Sequence, residues 1–257
     1  MDFINDTDYF DQHFLIDDKI INKFIDISQF NSNDVVVEIG PGNGVLTNII
    51  AKKVKKLYCI ELDVRLKKYL DEICKKNKNV EIIYSSVLDI EIPKCNKIIT
   101  SLPYSIVEPF MHKMIKTDFE ELFMITGNKF AKGVENKEIT YLSLLTNCFF
   151  DFEKIMEIEP TSFNPMPHTL SAMLKIKHKE EKNKIYLFFK NMYLLDHKKI
   201  KNAIIESLIQ IGYVNTQRES RNIIDSLDLS SDLLETKFEV CSNEQLMVLY
   251  KKIEKLF

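Results

Sequence analysis

Apolar positions along this chain follow two rhythms, and the change from one to the other outlines the fold. Val35-Val36-Val37-Glu38-Ile39 is a continuous β-branched run, the pattern of a strand buried on both faces. Residues 45–53 then read as a helix and residues 56–60 as a second strand ending in Glu61. Residues 64–76 read as a helix with Leu66, Tyr69, Leu70 and Ile73 on one face. Strands recur at 80–84, 97–100 and 121–125, with a helical pattern at 105–115. Alternation at this spacing predicts a doubly wound α/β sheet. Residues 152–158 and 171–177 read as two further strands joined by the proline-rich stretch 159–168, an expected antiparallel pair added at the sheet edge. Beyond residue 179 the period is helical, at 185–195, 198–210, 220–227 and 243–256. The chain is therefore expected to divide into an α/β domain, 1–178, and a small all-α domain, 179–257.

A chain of 257 residues, 45% hydrophobic and 28% charged, can bury an ordinary core, which excludes disordered and miniature classes. No apolar run approaches the roughly 20 residues that span a bilayer, so no membrane partner is expected. Five scattered cysteines, at 59, 74, 95, 148 and 241, lack metal-ligand spacing and indicate neither a disulfide framework nor a metal site. The opening Met1-Asp2-Phe3-Ile4-Asn5-Asp6 carries no basic stretch and no apolar signal core, from which a cytoplasmic protein is expected. The net charge of −3 counts against a protein that grips nucleic acid through phosphates. Residues 175–201 nevertheless hold nine lysines and three acids, a locally basic stretch whose plainest reading is a solvated surface at a domain boundary.

Of six glycines, three fall within five residues, in Glu38-Ile39-Gly40-Pro41-Gly42-Asn43-Gly44. The segment leaves a strand and opens a helix, where bare backbone lets a ligand lie against helix-terminal N–H groups. Its spacing is Gly-x-Gly-x-Gly, not the Gly-x-Gly-x-x-Gly of dinucleotide enzymes. Glu61 ends the next strand, placed to hold the two hydroxyls of a ribose and to disfavour a phosphate there. No Walker-type Gly-Lys-Ser/Thr follows. A merely tight turn would account for one glycine, not for three and the acid.

Further segments recur in order along nearly the whole chain: Asp11-Gln12-His13-Phe14-Leu15-Ile16-Asp17, Glu61-Leu62-Asp63, Ser101-Leu102-Pro103-Tyr104, Phe163-x-Pro165-x-Pro167 followed by Ser171-Ala172, and the basic helix start Asp196-His197-Lys198-Lys199-Ile200-Lys201-Asn202. With the glycine loop they resemble the class I S-adenosylmethionine-dependent methyltransferases. More narrowly they resemble the ribosomal RNA adenine dimethyltransferase family of KsgA-type and Erm-type enzymes, in an archaeal-like form. The resemblance implies a Rossmann-like methyltransferase sheet, S-adenosylmethionine as cofactor, and ribosomal RNA or the small ribosomal subunit as partner of a monomer. It implies cofactor contacts at Gln12, His13, Leu15, Gly40, Gly42, Glu61, Leu62, Ser86, Val87 and Ser101, and an acceptor site at Ser101, Leu102, Pro103, Tyr104 and Phe163. There the Ser101 side chain and the Leu102 carbonyl would hold an adenine amino group by its hydrogens while the rings of Tyr104 and Phe163 sandwich the extruded base. Between Pro160 and Pro165, Phe163 is expected on an exposed loop.

Several positions depart from the family pattern. Ser101 stands where the family has Asn or Asp; one weakened hydrogen bond costs about 1–3 kcal/mol, roughly 5- to 150-fold in rate, which predicts a slow enzyme. Ser86 replaces an acid that accepts from the cofactor's adenine amino group, with Asp89 three positions on as a candidate substitute. Gly127-Asn128-Lys129-Phe130-Ala131 replaces a Gln-x-Glu-Phe/Val-Ala pattern, Asp11 replaces a glycine, and Asp2, Asp6 and Asp8 stand in place of a basic arm. The alternative reading is a catalytically weak or silent paralogue that binds RNA or a ribosome-assembly intermediate. Asp63, Glu108 and His112 are read as structural or solvent-facing.

Overall fold

The computed structural model describes residues 12–257. The expectations about Asp11 and the acidic start of the chain lie outside the described residues. The strands are β1 (Phe14–Leu15), β2 (Val35–Ile39), β3 (Lys56–Glu61), β4 (Val80–Tyr84), β5 (Lys97–Ser101), β6 (Glu121–Gly127), β7 (Phe150–Ile158), β8 (Phe163–Asn164) and β9 (Ser171–His178). The helices are α1 (Asp18–Ser28), α2 (Val45–Ile50), α3 (Lys67–Lys76), α4 (Val107–Met114), α5 (Asn128–Glu135), α6 (Tyr141–Phe149), α7 (Lys184–Leu194), α8 (Ile200–Gln210), α9 (Gln217–Ser226), α10 (Ser231–Glu235) and α11 (Asn243–Glu254). Two compact units result: residues through Lys132 with Phe152–His178, and Gly133–Asp151 with Lys179–Phe257, the division falling within α5 and β7.

The first unit is built on a seven-stranded sheet in the order β4-β3-β2-β5-β6-β9-β7. Strands β4 through β6 in that order run parallel, and β9 pairs antiparallel with β6. This is the Rossmann-like methyltransferase sheet with its added edge pair; the later strand, β9, lies inside β7. Val36 and Val37 of β2 are fully buried, as a central parallel strand requires. Strand order reverses at β2, with β3 and β4 to one side and β5 and β6 to the other. Such a reversal opens a crevice beyond the C-terminal strand ends.

Two elements near that crevice lie outside the set expected above. Helix α1 is short of flanking breakers, but Asp17 caps it by accepting from the Lys19 and Ile20 amides, and Ile21, Phe24 and Ile25 bury its apolar stripe. Strands β1 and β8 are two residues each and form a separate antiparallel sheet, pairing Phe14 with Asn164 and Leu15 with Phe163. The Ile16 amide extends it by donating to the Ser162 carbonyl.

In the second unit α7 packs against α6 and α8, and α8 against α9. Helix starts are firmly specified: Thr216 with Glu219 and Ser242 with Gln245 form reciprocal capping boxes. Phe188, Phe189, Ile204, Leu208, Leu246 and Leu249 fill its interior. At the basic helix start Lys198 pairs with Glu206 and Lys199 with Glu235. Elsewhere in the lysine run, Lys175 and Lys177 both reach Glu121, and Lys179 pairs with Glu181. Among the described residues no helix is long and apolar enough to cross a membrane.

Candidate functional site

The crevice at the switch point is a cleft of about 400 Å³. Its floor is the turn between β2 and α2. Gly42 and Gly44 have φ of +58° and +81°, conformations that cost L side chains dearly, and a Cβ on Gly44 would stand 2.2 Å from Ile73 Cδ1. A Cβ on Gly42 would meet the Phe14 ring at 3.0 Å, so β1 lies directly over the loop. Gly42 and Gly44 are thus each hemmed in by a neighbouring side chain.

Glu61 closes the end of β3 and is buried. Its Oε2 accepts from the Gly42 amide at 3.1 Å and its Oε1 from the Asp63 amide at 2.7 Å, which fixes the carboxylate against the loop and leaves each oxygen a second lone pair. Burial raises its pKa against the lowering effect of those two amides. Asp63 is structural, as expected: Arg65 grips it through Nε and Nη2, and Gln12 Nε2 donates to it at 3.3 Å. Those bonds outweigh burial and hold its carboxyl below the usual range. Gln12, expected to touch cofactor, therefore lines the cleft while anchored by Asp63.

Beneath the loop Glu38 is fully enclosed, and burial pushes its carboxyl up to about 7. Cys59 Sγ lies 3.6 Å from its Oε2, and its Oε1 has no hydrogen-bond partner among the described residues.

Beyond Glu61 the wall is formed by Leu62, Ser85, Ser86 and Val87. Ser86 Oγ accepts from the Leu88 amide at 3.1 Å, so the hydroxyl shapes the turn at this part of the lining. Asp89, the candidate substitute acid, is absent from the lining. Glu108 and His112 are absent from it as well.

At the opposite end Ser101, Leu102, Pro103 and Tyr104 follow β5 into the cleft. The Thr100 hydroxyl ties this strand end to the Ile39 carbonyl at 2.9 Å, and the Leu102 amide donates to the Ile125 carbonyl at 2.8 Å. Backbone at residues 100–102 is thereby held from both neighbouring strands. His13 Nδ1 donates to the Pro165 carbonyl at 2.8 Å, which fixes its tautomer, and its ring lies 6.4 Å from that of Tyr104. Leu15 lines the cleft and is otherwise buried.

The exposed loop position expected for Phe163 is corrected. Phe163 is 5% exposed, because pairing of β8 with β1 turns its ring into a core cluster with Leu15, Ile21 and Phe24, although the residue still contributes to the cleft lining. Sequence reasoning passed over Phe14, Thr126, Gly127 and Ser171 as site residues. Phe14 and Ser171 stood inside quoted motifs and were legible in principle; Gly127 was marked only as a departure, and nothing in the pattern of residues says that it touches Tyr104.

A parallel sheet with this strand order, a glycine turn at its switch point, a carboxylate on the next strand end and a polar-aromatic segment after β5 define a class I, Rossmann-like methyltransferase. A family model described as "Ribosomal RNA adenine dimethylase" matches residues 5–221, and the chain belongs to that family, whose members take the methyl group from S-adenosylmethionine. It is similar to proteins named "Probable ribosomal RNA small subunit methyltransferase A". The one from Methanococcus maripaludis is 35% identical over 240 residues, covering 89% of this chain and 88% of that protein. The one from Pyrococcus abyssi is 32% identical over 233 residues, covering 89% and 86%. Among solved structures, a dimethyladenosine transferase from Plasmodium falciparum shares the fold with a TM-score of 0.65 at 20% identity, covering 95% of this chain and 98% of that one. The 23S rRNA methyltransferase ErmE does so with a TM-score of 0.61 at 22% identity, covering 94% and 99%.

Proposed function

We propose that this ribosomal RNA methyltransferase acts on adenine amino groups of small-subunit RNA, as a cytoplasmic monomer, with slow turnover. One observation carries the reading: a single cleft is lined without interruption from the Gly40 turn past Glu61 to Ser101 and Tyr104. The residues present fit S-adenosylmethionine, since a carboxylate with spare lone pairs and a turn with glycine at three of its five positions suit a ribose and an amino-acid tail. When bound, that cofactor supplies a methyl group already activated on a sulfonium.

In this reading Gly40 and Gly42 leave room for the methionine end, Glu61 accepts from the ribose hydroxyls, and Leu62, Ser86 and Val87 flank the adenine. Gln12, His13 and Leu15 cover the cofactor from β1. The Ser101 hydroxyl and the Leu102 carbonyl accept the two amine hydrogens, which turns the nitrogen lone pair toward the methyl; positioning carries the rate. Pro103 stiffens the segment, and Tyr104 and Phe163 flank the base, the Tyr104 stack being worth about 1–3 kcal/mol. Phe163 is almost wholly buried where it lines the cleft, so it serves as a wall of the slot. The division at residues 178 and 179 belongs to the same reading, the α/β part carrying the chemistry.

The test is transfer of labelled methyl to naked and particle-bound small-subunit RNA, with binding of S-adenosylhomocysteine followed by calorimetry. Tyr104→Ala is expected to abolish transfer while leaving cofactor binding in place. The serine at position 101 favours a second reading, an RNA-binding paralogue without turnover; retained RNA binding with no methyl incorporated by either form would establish it. Failure to bind the cofactor product would defeat the methyl-transfer reading, and failure to bind RNA would defeat the second.

A further inference from the structure

Tyr104 is held from behind by two residues outside the segment that defines the acceptor site. Gly127 ends β6, Ser171 begins β9, and the two are partners across the antiparallel ladder. A Cβ built on Gly127 would lie 3.2 Å from Tyr104 Cγ, 3.3 Å from Cδ1 and 3.4 Å from Cδ2. Near-equal approach to three adjoining ring atoms means that one face of the ring lies flat on the glycine backbone. Gly127 has no left-handed φ, so the ring, not the backbone conformation, calls for glycine here. The phenolic oxygen meets Ser171 Oγ at 2.7 Å, the length of a well-formed O–H···O bond.

We propose that Gly127 and Ser171 are positioning residues for methyl transfer, which together hold Tyr104 as a fixed wall of the acceptor slot before a base arrives. The proposal rests on the reading of Tyr104 as the base-stacking ring. A ring already ordered loses no rotamer freedom when a base stacks on it. A wall that cannot drift also keeps the amine aimed at the methyl group. A Cβ at position 127 would press on the ring tightly enough that the ring must give by a few tenths of an ångström toward the slot. The glycine that departs from the family pattern therefore widens the space in which the base must fit, and Ser171 sets how far along the wall the ring reaches.

The full chain labelled with 3-fluorotyrosine gives a direct readout, the Tyr104 resonance being identified by its loss in Tyr104→Phe. Ser171→Ala and Gly127→Ala are each expected to move that resonance while the affinity for S-adenosylhomocysteine, read by calorimetry, stays within about twofold. In methyl transfer to small-subunit RNA, Ser171→Ala should lower kcat/KM roughly 2- to 10-fold, the size of one neutral hydrogen bond, chiefly through the acceptor KM. Tyr104→Phe combined with Ser171→Ala should cost no more than either alone, because both remove the same bond. Should Gly127→Ala fail to fold, the serine and phenylalanine variants carry the test. An unmoved resonance in Ser171→Ala, or additive losses in the double variant, overturns the positioning role. A wild-type chain that binds S-adenosylhomocysteine yet transfers no methyl overturns the methyl-transfer reading instead, and the role falls with it.

Discussion

A serine hydroxyl accepts through one short arm where an asparagine carbonyl reaches further, so Ser101 holds an amine less firmly than the longer residue would. Ser101→Asn is accordingly expected to raise kcat about 5- to 150-fold, measured as labelled methyl per minute on small-subunit RNA; no rise would point to an acceptor other than an adenine amine. Glu38 illustrates a second single-residue effect. Its pKa is raised by burial from 4.5 to about 7. Below pH 4.5 the group is protonated in folded and unfolded chains alike; between 4.5 and 7 only the folded chain keeps the proton. The stabilising contribution is therefore full at low pH and is lost as pH rises through 7. Compared with Glu38→Gln, which has no proton to lose, the wild type should weaken by a few kcal/mol across that window. Urea unfolding of both forms at pH 4.5 and pH 8 decides it, and parallel behaviour would mean that Glu38 ionises without penalty. The residue types at the site were legible because turns, stacking and amine recognition each need particular chemistry. Burial was not: Phe163 lies between prolines in sequence, and only its ladder with Leu15 turns it inward.

At the level of elements, the β1–β8 ladder joins the segment proposed to cover the cofactor to the one carrying Phe163. His13, Phe14, Leu15 and Ile16 all bond or pair with residues 162–165. Asp17 anchors this assembly twice, as the cap of α1 and as acceptor from the Ser162 hydroxyl at 3.2 Å. Asp17→Ala should cost about 1–2 kcal/mol in denaturant unfolding, the value of an N-cap. It should also raise the acceptor KM, because Phe163 would lose part of its anchorage. An unchanged KM alongside the stability loss would separate the ladder from the acceptor site. Two-residue strands fall below any period, and for that reason the sequence predicts the long strands β2 to β6 almost to the residue and is silent on β1 and β8.

For the whole chain, the relevant quantity is how much positive charge remains for RNA. Of the nine lysines in residues 175–201, five are engaged by Glu121, Glu181, Glu206 and Glu235, and the other four carry no ion pair among the described residues. RNA binding through this stretch should therefore depend weakly on salt, with a log–log slope on the order of −3 to −4. A titration from 50 to 300 mM KCl would show it, and a slope near −8 would reveal a basic surface that these pairings do not suggest. The sheet, the glycine turn, the acid after β3 and the family itself were determined by the sequence, because buried parallel strands and ligand-bearing turns leave local, short-range signatures. Tertiary structure alone decided which lysines are neutralised, which way Phe163 faces and what lies behind Tyr104. Those outcomes depend on residues distant along the chain meeting across a ladder, and no local pattern records which partners will meet.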